Sequence, residues 1–485
     1  MANFFKRTAF FMIFREPFHS VRHFCVFIFL VLLHLQAARA QTSLFDPSFA
    51  IGRGSEDLVS AIHVQTDGRI LVGATLNCCE FDECEEYLFR LLSNGEIDPS
   101  FGSGTDGQVN RLLAQPDGAV LVAGYFSRLL GVERIGLGRL MPNGVVDPDF
   151  NPGDFFSTNG QPFTIALQDD GKILVASFME DGQSRLLRLF PNGTLDVTFH
   201  NTNVLDQLVY SLLVRNNGTI VVGGAFSSAN GVPAHGIAVF DSTGQLDTNL
   251  QFGLQSAAVF TIVPTPDQKL LVGGILYRQQ GSTLLTNMIA RLTPELTWDT
   301  NFSTAEFSLN QYGSSVKTIL LQPDGKMVAG GSFPKVGGYY RRNIVRLKSD
   351  GSVDPCFDPG LGLVGDYFGA ITVVRQPDGR LLVGGVFDSV DGIKHSNLTR
   401  LLSSNDCDVT RMYIQETDPA IYPYYLTHQV FGTSSPGGTN VLQSSTNLVD
   451  WIEVGSTTEP LISSDLYLDD YGQPNTQFFR IKKEH

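Results

Sequence analysis

The chain has 485 residues, of which 17% are charged and 42% hydrophobic, and a net charge of −15. Nucleic acid and anionic membrane surfaces require positive charge and are therefore not expected partners. Cationic ligands, metal ions or simple solubility of an acidic surface remain compatible with this balance.

The first forty residues have the layout of an export signal. Lys6, Arg7, Arg15 and Arg22 precede an apolar run from about Phe24 to Leu35, and Ala38-Arg39-Ala40 forms a small-x-small cleavage site before Gln41. The run is shorter than the ~20 residues of a comfortable membrane span. Residues 1–40 are therefore expected to be a signal peptide, with Met12 competing with Met1 as the start and an uncleaved anchor as the alternative. Cleavage removes five basic residues and one acidic residue, taking the charge to about −19 and leaving a secreted or cell-surface chain with no membrane span.

After Phe45-Asp46-Pro47-Ser48-Phe49 the chain repeats one pattern seven times. A first turn falls at Asp67-Gly68, Asp117-Gly118, Asp170-Gly171, Asn217-Gly218, Asp267-Gln268, Asp324-Gly325 and Asp378-Gly379, a period of about 52 residues. A second marker follows, as in Asn94-Gly95 with Asp98 and Phe101, Asn143-Gly144 with Asp147 and Phe150, Asn192-Gly193 with Asp196 and Phe199, and Asp350-Gly351 with Asp354 and Phe357. Units four and five keep only Gly244 and Asp247, or Asp299 and Phe302. Asp-Gly and Asn-Gly between apolar segments predict type I′ hairpins, so each unit is expected to hold two hairpins and four strands. The second strand, such as Arg380-Leu381-Leu382-Val383-Gly384-Gly385, is nearly continuous in apolar residues, as a strand covered on both faces would be. Its glycines are expected to let backbones approach closely around a central channel. Units of this size and content predict a β-propeller.

The two ends of the array are complementary. Phe45 to Phe49 is a fourth-strand motif without the strands that should precede it, whereas the seventh unit continues past Arg400-Leu401 to Asp408 and then has Arg411 where the phenylalanine should stand. The expected fold is an all-β, seven-bladed propeller over residues 41–408, closed by its N-terminal strand, which removes an open sheet edge. From about Val409 the repeat is lost. Short alternating segments at Val441–Ser445, Trp451–Gly455 and Phe478–Lys482 predict a small β-sandwich over residues 409–485.

Gln322-Pro323-Asp324-Gly325-Lys326, Gly330-Gly331-Ser332-Phe333, Arg346-Leu347 and Asp350-Gly351-Ser352-Val353-Asp354-Pro355 carry a resemblance to the delta-60 repeat proteins, large secreted or surface β-propeller proteins of bacteria. The resemblance spans roughly residues 43 to 408 and implies a propeller and export, but no reaction. Ser444-Ser445-Thr446-Asn447-Leu448-Val449-Asp450-Trp451, with Phe478-Phe479-Arg480, resembles a C-terminal module of secreted bacterial proteins.

Five cysteines follow the leader: Cys78, Cys79, Cys84, Cys356 and Cys407. An oxidising compartment makes disulfides the default, and the odd count leaves one thiol over. Cys356 and Cys407 end consecutive units and are candidates to pair, while Cys84 with Cys78 or Cys79 would close a local loop. A thiolate and carboxylate metal site in that loop matches no zinc spacing. Asp465, Asp469 and Asp470 do not have the spacing of an EF-hand loop.

Chemistry-bearing motifs are absent from the sequence. There is no His-Glu-x-x-His, no Gly-x-Ser-x-Gly and no phosphate loop, and the Gly-x-Gly-x-x-Gly strings at Gly102, Gly104 and Gly107 and at Gly360, Gly362 and Gly365 precede no helix, which makes them inter-unit turns. The recurring aspartates belong to turns, where they bond the local backbone. His63, His235 and His395 each occur in a single unit, with the last two in loops. No residue is assigned a catalytic, cofactor-binding or metal-binding role, and no cofactor is expected. The expected function is a non-catalytic, monomeric scaffold that binds protein or carbohydrate through loops on one face. The alternative is a glycan lyase or hydrolase with two carboxylates about 5 to 9 Å apart at the channel mouth.

Overall fold

The computed structural model describes residues 44–49, 58–75 and 87–402, apart from 159, 202, 251, 281–282, 310–312, 366–368 and 396. It also gives the backbone of strands at 11–12, 411–416, 428–433, 439–445, 452–457 and 478–484. The described residues are all-β, with one short helix at Phe155–Thr158.

Seven antiparallel units of inner, middle and outer strand succeed one another among the described residues. Their inner strands are Leu58–Val64, Gln108–Ala114, Gln161–Leu167, Val209–Val214, Leu254–Pro264, Ser315–Leu321 and Gly369–Arg375, and the units are numbered 1 to 7 in that order. Each inner strand packs against the next, and that of unit 1 also packs against that of unit 7. The middle strands are buried on both faces. In Val120–Tyr125, Val120 and Val122 join Leu71 and Leu88 of unit 1, while Leu121 and Ala123 join Ile173 and Leu187 of unit 3. Successive side chains of a strand point to opposite faces, so an uninterrupted apolar run serves two neighbours.

The expected turn type is corrected. In the first turn of unit 1, Gly68 N–H donates to Gln65 O and Gln65 N–H to Arg69 O, and only the glycine has positive φ, at 86°. This is a type I turn closed by a left-handed residue. Pro116, Pro323 and Pro377 occupy the first central position of the equivalent turns, where a φ near −65° excludes type I′. The aspartate then accepts from the amide two residues on, as Asp67 Oδ1 does from Arg69 at 3.0 Å.

The expected fourth strand is also corrected. It is a single bridge, Leu91 to Ile97 in unit 1 and likewise in units 2 to 6, followed at once by the Asp-Pro turn or its variant. Proline has no N–H to offer a ladder, and the aspartate folds back on the amide two residues on, as Asp98 Oδ1 does on Ser100.

That aspartate anchors a node. The arginine of the outer strand reaches it through Nε at 2.7–2.9 Å in Arg90–Asp98, Arg139–Asp147, Arg188–Asp196, Arg291–Asp299 and Arg346–Asp354. The same guanidinium lies over the motif phenylalanine, as Arg188 does over Phe199 at 4.6 Å, and in Arg139, Arg188 and Arg291 it also donates to a turn carbonyl of the following unit, Arg188 to Ser242 O at 2.6 Å. In unit 4 Val239 replaces the arginine, and Arg215 of the same unit donates to the corresponding carbonyl, Pro294 O, at 2.7 Å.

The N-terminal segment forms this node for unit 7. Phe45 bridges Leu401, Asp46 pairs with Arg400 at 2.8 Å across 354 residues of sequence, and Arg400 lies over Phe49 at 4.6 Å. Arg400 Nη1 then donates to Ser93 O of unit 1 at 2.8 Å. Between the same two units, a Cβ on Gly384 would stand 2.4 Å from Val59 Cγ1, so only glycine allows that approach.

In the C-terminal region 411–416 pairs with 428–433, and 439–445 lies between 452–457 and 478–484. Phe11–Met12, inside the expected leader, pairs with Phe478 and Phe479.

Two outcomes are expected. Gln268 holds the left-handed position with φ of 62° where other first turns have glycine, so Gln268→Gly should raise stability by about 1 kcal/mol in denaturant unfolding. Burial works against ionisation of Asp196, but the Thr198 hydroxyl and amide and the Arg188 guanidinium outweigh it and hold the pKa at about 2. Asp46, Asp98, Asp147, Asp299 and Asp354 are lowered in the same sense. A carboxyl whose folded pKa lies below its unfolded value adds stability that is complete above the unfolded value and is lost as pH falls through the folded one. Unfolding midpoints should therefore hold above about pH 4 and drop steeply toward pH 2.

Candidate functional site

Every inner strand carries one extra residue at the same place. The register with the middle strand slips between Val59 and Ala61, Val109 and Arg111, Pro162 and Thr164, Val209 and Ser211, Val259 and Thr261, Val316 and Thr318, and Ala370 and Thr372. The bulged residues are Ser60, Asn110, Phe163, Tyr210, Phe260, Lys317 and Ile371. Each is partly accessible, whereas the residue before it is buried in every unit, so the bulge turns one side chain per unit toward the axis.

Their side chains link successive units. Ser60 Oγ donates to Val109 O and Asn110 Nδ2 to Pro162 O. The rings of Phe163 and Tyr210 lie 5.7 Å apart and those of Tyr210 and Phe260 4.8 Å, and Lys317 Nζ stands 5.3 Å from the Phe260 ring. Arg111 follows the bulge of unit 2, where most units have Ser or Thr. Its Nε approaches Thr164 Oγ1 at 3.4 Å, and its Nη2 donates to Tyr210 O at 3.2 Å, two units away. Burial lowers the pKa of Lys317 to about 8, lowers that of Arg111 and raises that of Tyr210.

The residues singled out from sequence are not gathered here, apart from His63, which lies in the inner strand of unit 1 with its pKa lowered by burial. His395 packs on Phe45 at 4.4 Å between ring centroids, and burial lowers its pKa. His235 adopts a φ of 45° and donates its amide to Ser227 O. The Gly-x-Gly strings are inter-unit turns: Gly104 N–H donates to Gly102 O, and Gly362 N–H to Pro359 O. Cys356 donates its amide to Asp354. Cys78, Cys79, Cys84, Cys407, Asp408, Asp465, Asp469 and Asp470 lie outside the described residues. Among the described residues no group of three ligating side chains is placed to hold a metal ion.

The bulge residues were missed from sequence, although a signal was present. Each lies seven residues before the Asp or Asn of the first turn, and the series Ser, Asn, Phe, Tyr, Phe, Lys, Ile is the most varied column of a strongly repeated strand. Variation inside a repeated frame marks a position that the fold leaves free.

Inner strands around an axis, middle strands buried between neighbours and a node in every unit but the fourth define a β-propeller. Residues 115–150, 168–199, 215–250, 322–357 and 376–405 match the family model described as a domain of unknown function (DUF5122) β-propeller. The repeats across residues 115–405 are of that family, the delta-60 repeat family, and make this a delta-60-type propeller. No curated protein matches the chain. Among solved structures it is similar to the extracellular domain of the putative one-component system BT4673 from B. thetaiotaomicron, at 14% identity and a TM-score of 0.29 over 82% of this chain and 61% of that one. This chain thus spans less than two thirds of that domain's length. A protein titled glycoside hydrolase is similar at 10% identity and a TM-score of 0.25, over 88% of this chain and 95% of the other.

One outcome follows from the axis. The folded pKa of Lys317 lies below its unfolded value, so the unfolded chain binds more protons between about pH 8 and 10.5 and the cost of charging Lys317 falls away over that range. Lys317→Met should raise stability at pH 7 by about 1–2 kcal/mol, and the gain should vanish by about pH 10.

Proposed function

We propose that the chain is an exported, closed seven-bladed propeller that works by binding protein or carbohydrate, without chemistry, through one end of the ring and its axis. The observation that carries this is the division of labour among its side chains. The repeated aspartates are committed to nodes and turns, and every described carboxyl with a displaced pKa is displaced downward, away from what a general acid needs. The most varied column of the inner strands faces the axis instead.

Closure is supported by the contact of unit 7 with unit 1 and by the node that Asp46 and Phe49 complete. Export is supported by the charged leader, apolar run and Ala38-Arg39-Ala40. In this reading residues 1–40 are removed, Cys356 pairs with Cys407, and residues 409–485 form a small β-sandwich that serves attachment. No helix among the described residues is long and apolar enough to cross a membrane.

Asp46→Ala leaves Arg400 with one fewer buried partner and should cost about 3 kcal/mol. Deletion of 42–52 should go further and broaden the unfolding transition, and unchanged thermal unfolding of the deletion variant would remove the closure proposal. For function, the mature chain is screened on glycan arrays and in polysaccharide and protein pull-downs, with the mixtures assayed for new reducing or unsaturated ends. Binding without product is expected; product release would overturn the non-catalytic assignment.

A further inference from the structure

The seven inner strands of this acidic chain contain no aspartate or glutamate. Their charged residues are Arg111, Lys317 and Arg375. Two of these frame the bulge ring. Read around the axis from unit 2 to unit 6, the order is a guanidinium, three aromatic rings and an ammonium: Arg111, Phe163, Tyr210, Phe260 and Lys317. The three rings touch in sequence, Arg111 reaches the backbone of the central one, and Lys317 stands against the last.

Packing alone does not ask for this arrangement. Unit 7 fills the Lys317 position with Ile371, and units 3 and 5 to 7 fill the Arg111 position with threonine, so the frame accepts uncharged side chains at both places. Holding two cations in a narrow, partly desolvated axis costs stability, and such a cost is characteristic of binding sites. Aromatic faces take the C–H faces of pyranose rings, and cations in a poorly hydrated setting take carboxylates through charge-assisted hydrogen bonds. The chain's net charge of −15 opposes long polyanions, which points to a short ligand or a chain end.

We propose that the axial ring of Arg111, Phe163, Tyr210, Phe260 and Lys317 binds a uronate-containing oligosaccharide, with sugar faces on the aromatic wall and carboxylates at its cationic ends. The proposal rests on the propeller being a binding protein and specifies the ligand class and the site.

The test titrates the mature full-length chain calorimetrically with trigalacturonate. Maltotriose, benzoate and inorganic phosphate are run alongside as a neutral saccharide, a ring carboxylate without a sugar and a bare anion. Saturable binding of trigalacturonate, at least about tenfold tighter than any of the three, is expected. Lys317→Met and Phe260→Ala should each weaken it at least about tenfold, and Lys317→Arg should stay within about threefold. Because Lys317→Met should be no less stable than the parent, loss of binding in it reports the site and not the fold. Absence of saturable binding by the parent overturns the proposal, as does equal binding of phosphate or benzoate. Undiminished binding by Lys317→Met overturns the axial site while leaving the propeller a binding protein. Release of unsaturated or reducing ends in the same mixtures would instead overturn the non-catalytic reading.

Discussion

The architecture depends on one buried ion pair used repeatedly. In every unit but the fourth an arginine of the outer strand bonds the aspartate of an Asp-Pro-type turn and lies over that turn's phenylalanine, and in Arg139, Arg188, Arg291 and Arg400 a second nitrogen donates to a carbonyl of the next unit. The pair therefore sets the end of one unit and its spacing from the next. A buried ion pair is weak evidence for stability in itself, since desolvation consumes much of its attraction, but removing one partner is costly because the other remains buried. Here the aspartate also accepts an amide from its own turn, a hydroxyl as well where Ser48, Ser100 or Thr198 follows it, and in most units a lysine or arginine from the first turn approaches it, as Lys326 does Asp354 at 3.0 Å. With several partners, the carboxylate has its lone pairs satisfied, and the node becomes a register device as well as a contact. In unit 4 Val239 removes the arginine, yet Arg215 still supplies a guanidinium to the next unit.

The same node accounts for the contact of residues 45–49 with the outer strand of unit 7. Unit 7 has its arginine but no aspartate of its own in the described residues, and a lone guanidinium in that place would be a buried charge without a partner. Asp46 and Phe49 supply what is missing, and the contact between Gly384 and Val59 lets units 7 and 1 approach as other neighbours do. An aspartate and a phenylalanine from the other end of the chain thus do the work of an internal repeat.

Much of this was legible in the sequence because a repeat displays its constraints many times. The positions of the Asp-Gly turns and the buried middle strands could be read from spacing and apolar content. The errors came from local chemistry that the periodic pattern concealed. Pro116, Pro323 and Pro377 already excluded type I′ turns, and the proline of Asp-Pro already limited the fourth strand to one bridge. The arginine node was out of reach for another reason. Arg90 and Asp98 are eight residues apart, a separation meaningful only once the intervening hairpin is known, and the bridge between Asp46 and Arg400 requires the whole ring. The axial residues escaped for a further reason: the single-unit residues that stood out were His63, His235 and His395, whereas Phe163, Tyr210 and Phe260 pass for ordinary members of an apolar strand until the bulge that turns them is known.

That bulge bears on how such a propeller acquires a ligand. The bulge presents one side chain per unit to the axis without altering the pairing on either side: the strand partners of Val316 and Thr318 are Gly331 and Gly330, whatever stands at 317. The bulge position can therefore change from serine to phenylalanine to lysine while the node, the turns and the buried middle strand stay the same. The residues that hold the strand in its sheet and the residue that faces the axis are therefore separate. The cost of a cation at the axis falls on a frame secured by many nodes, and for that reason a partly desolvated lysine with a pKa near 8 can persist there without unfolding its unit.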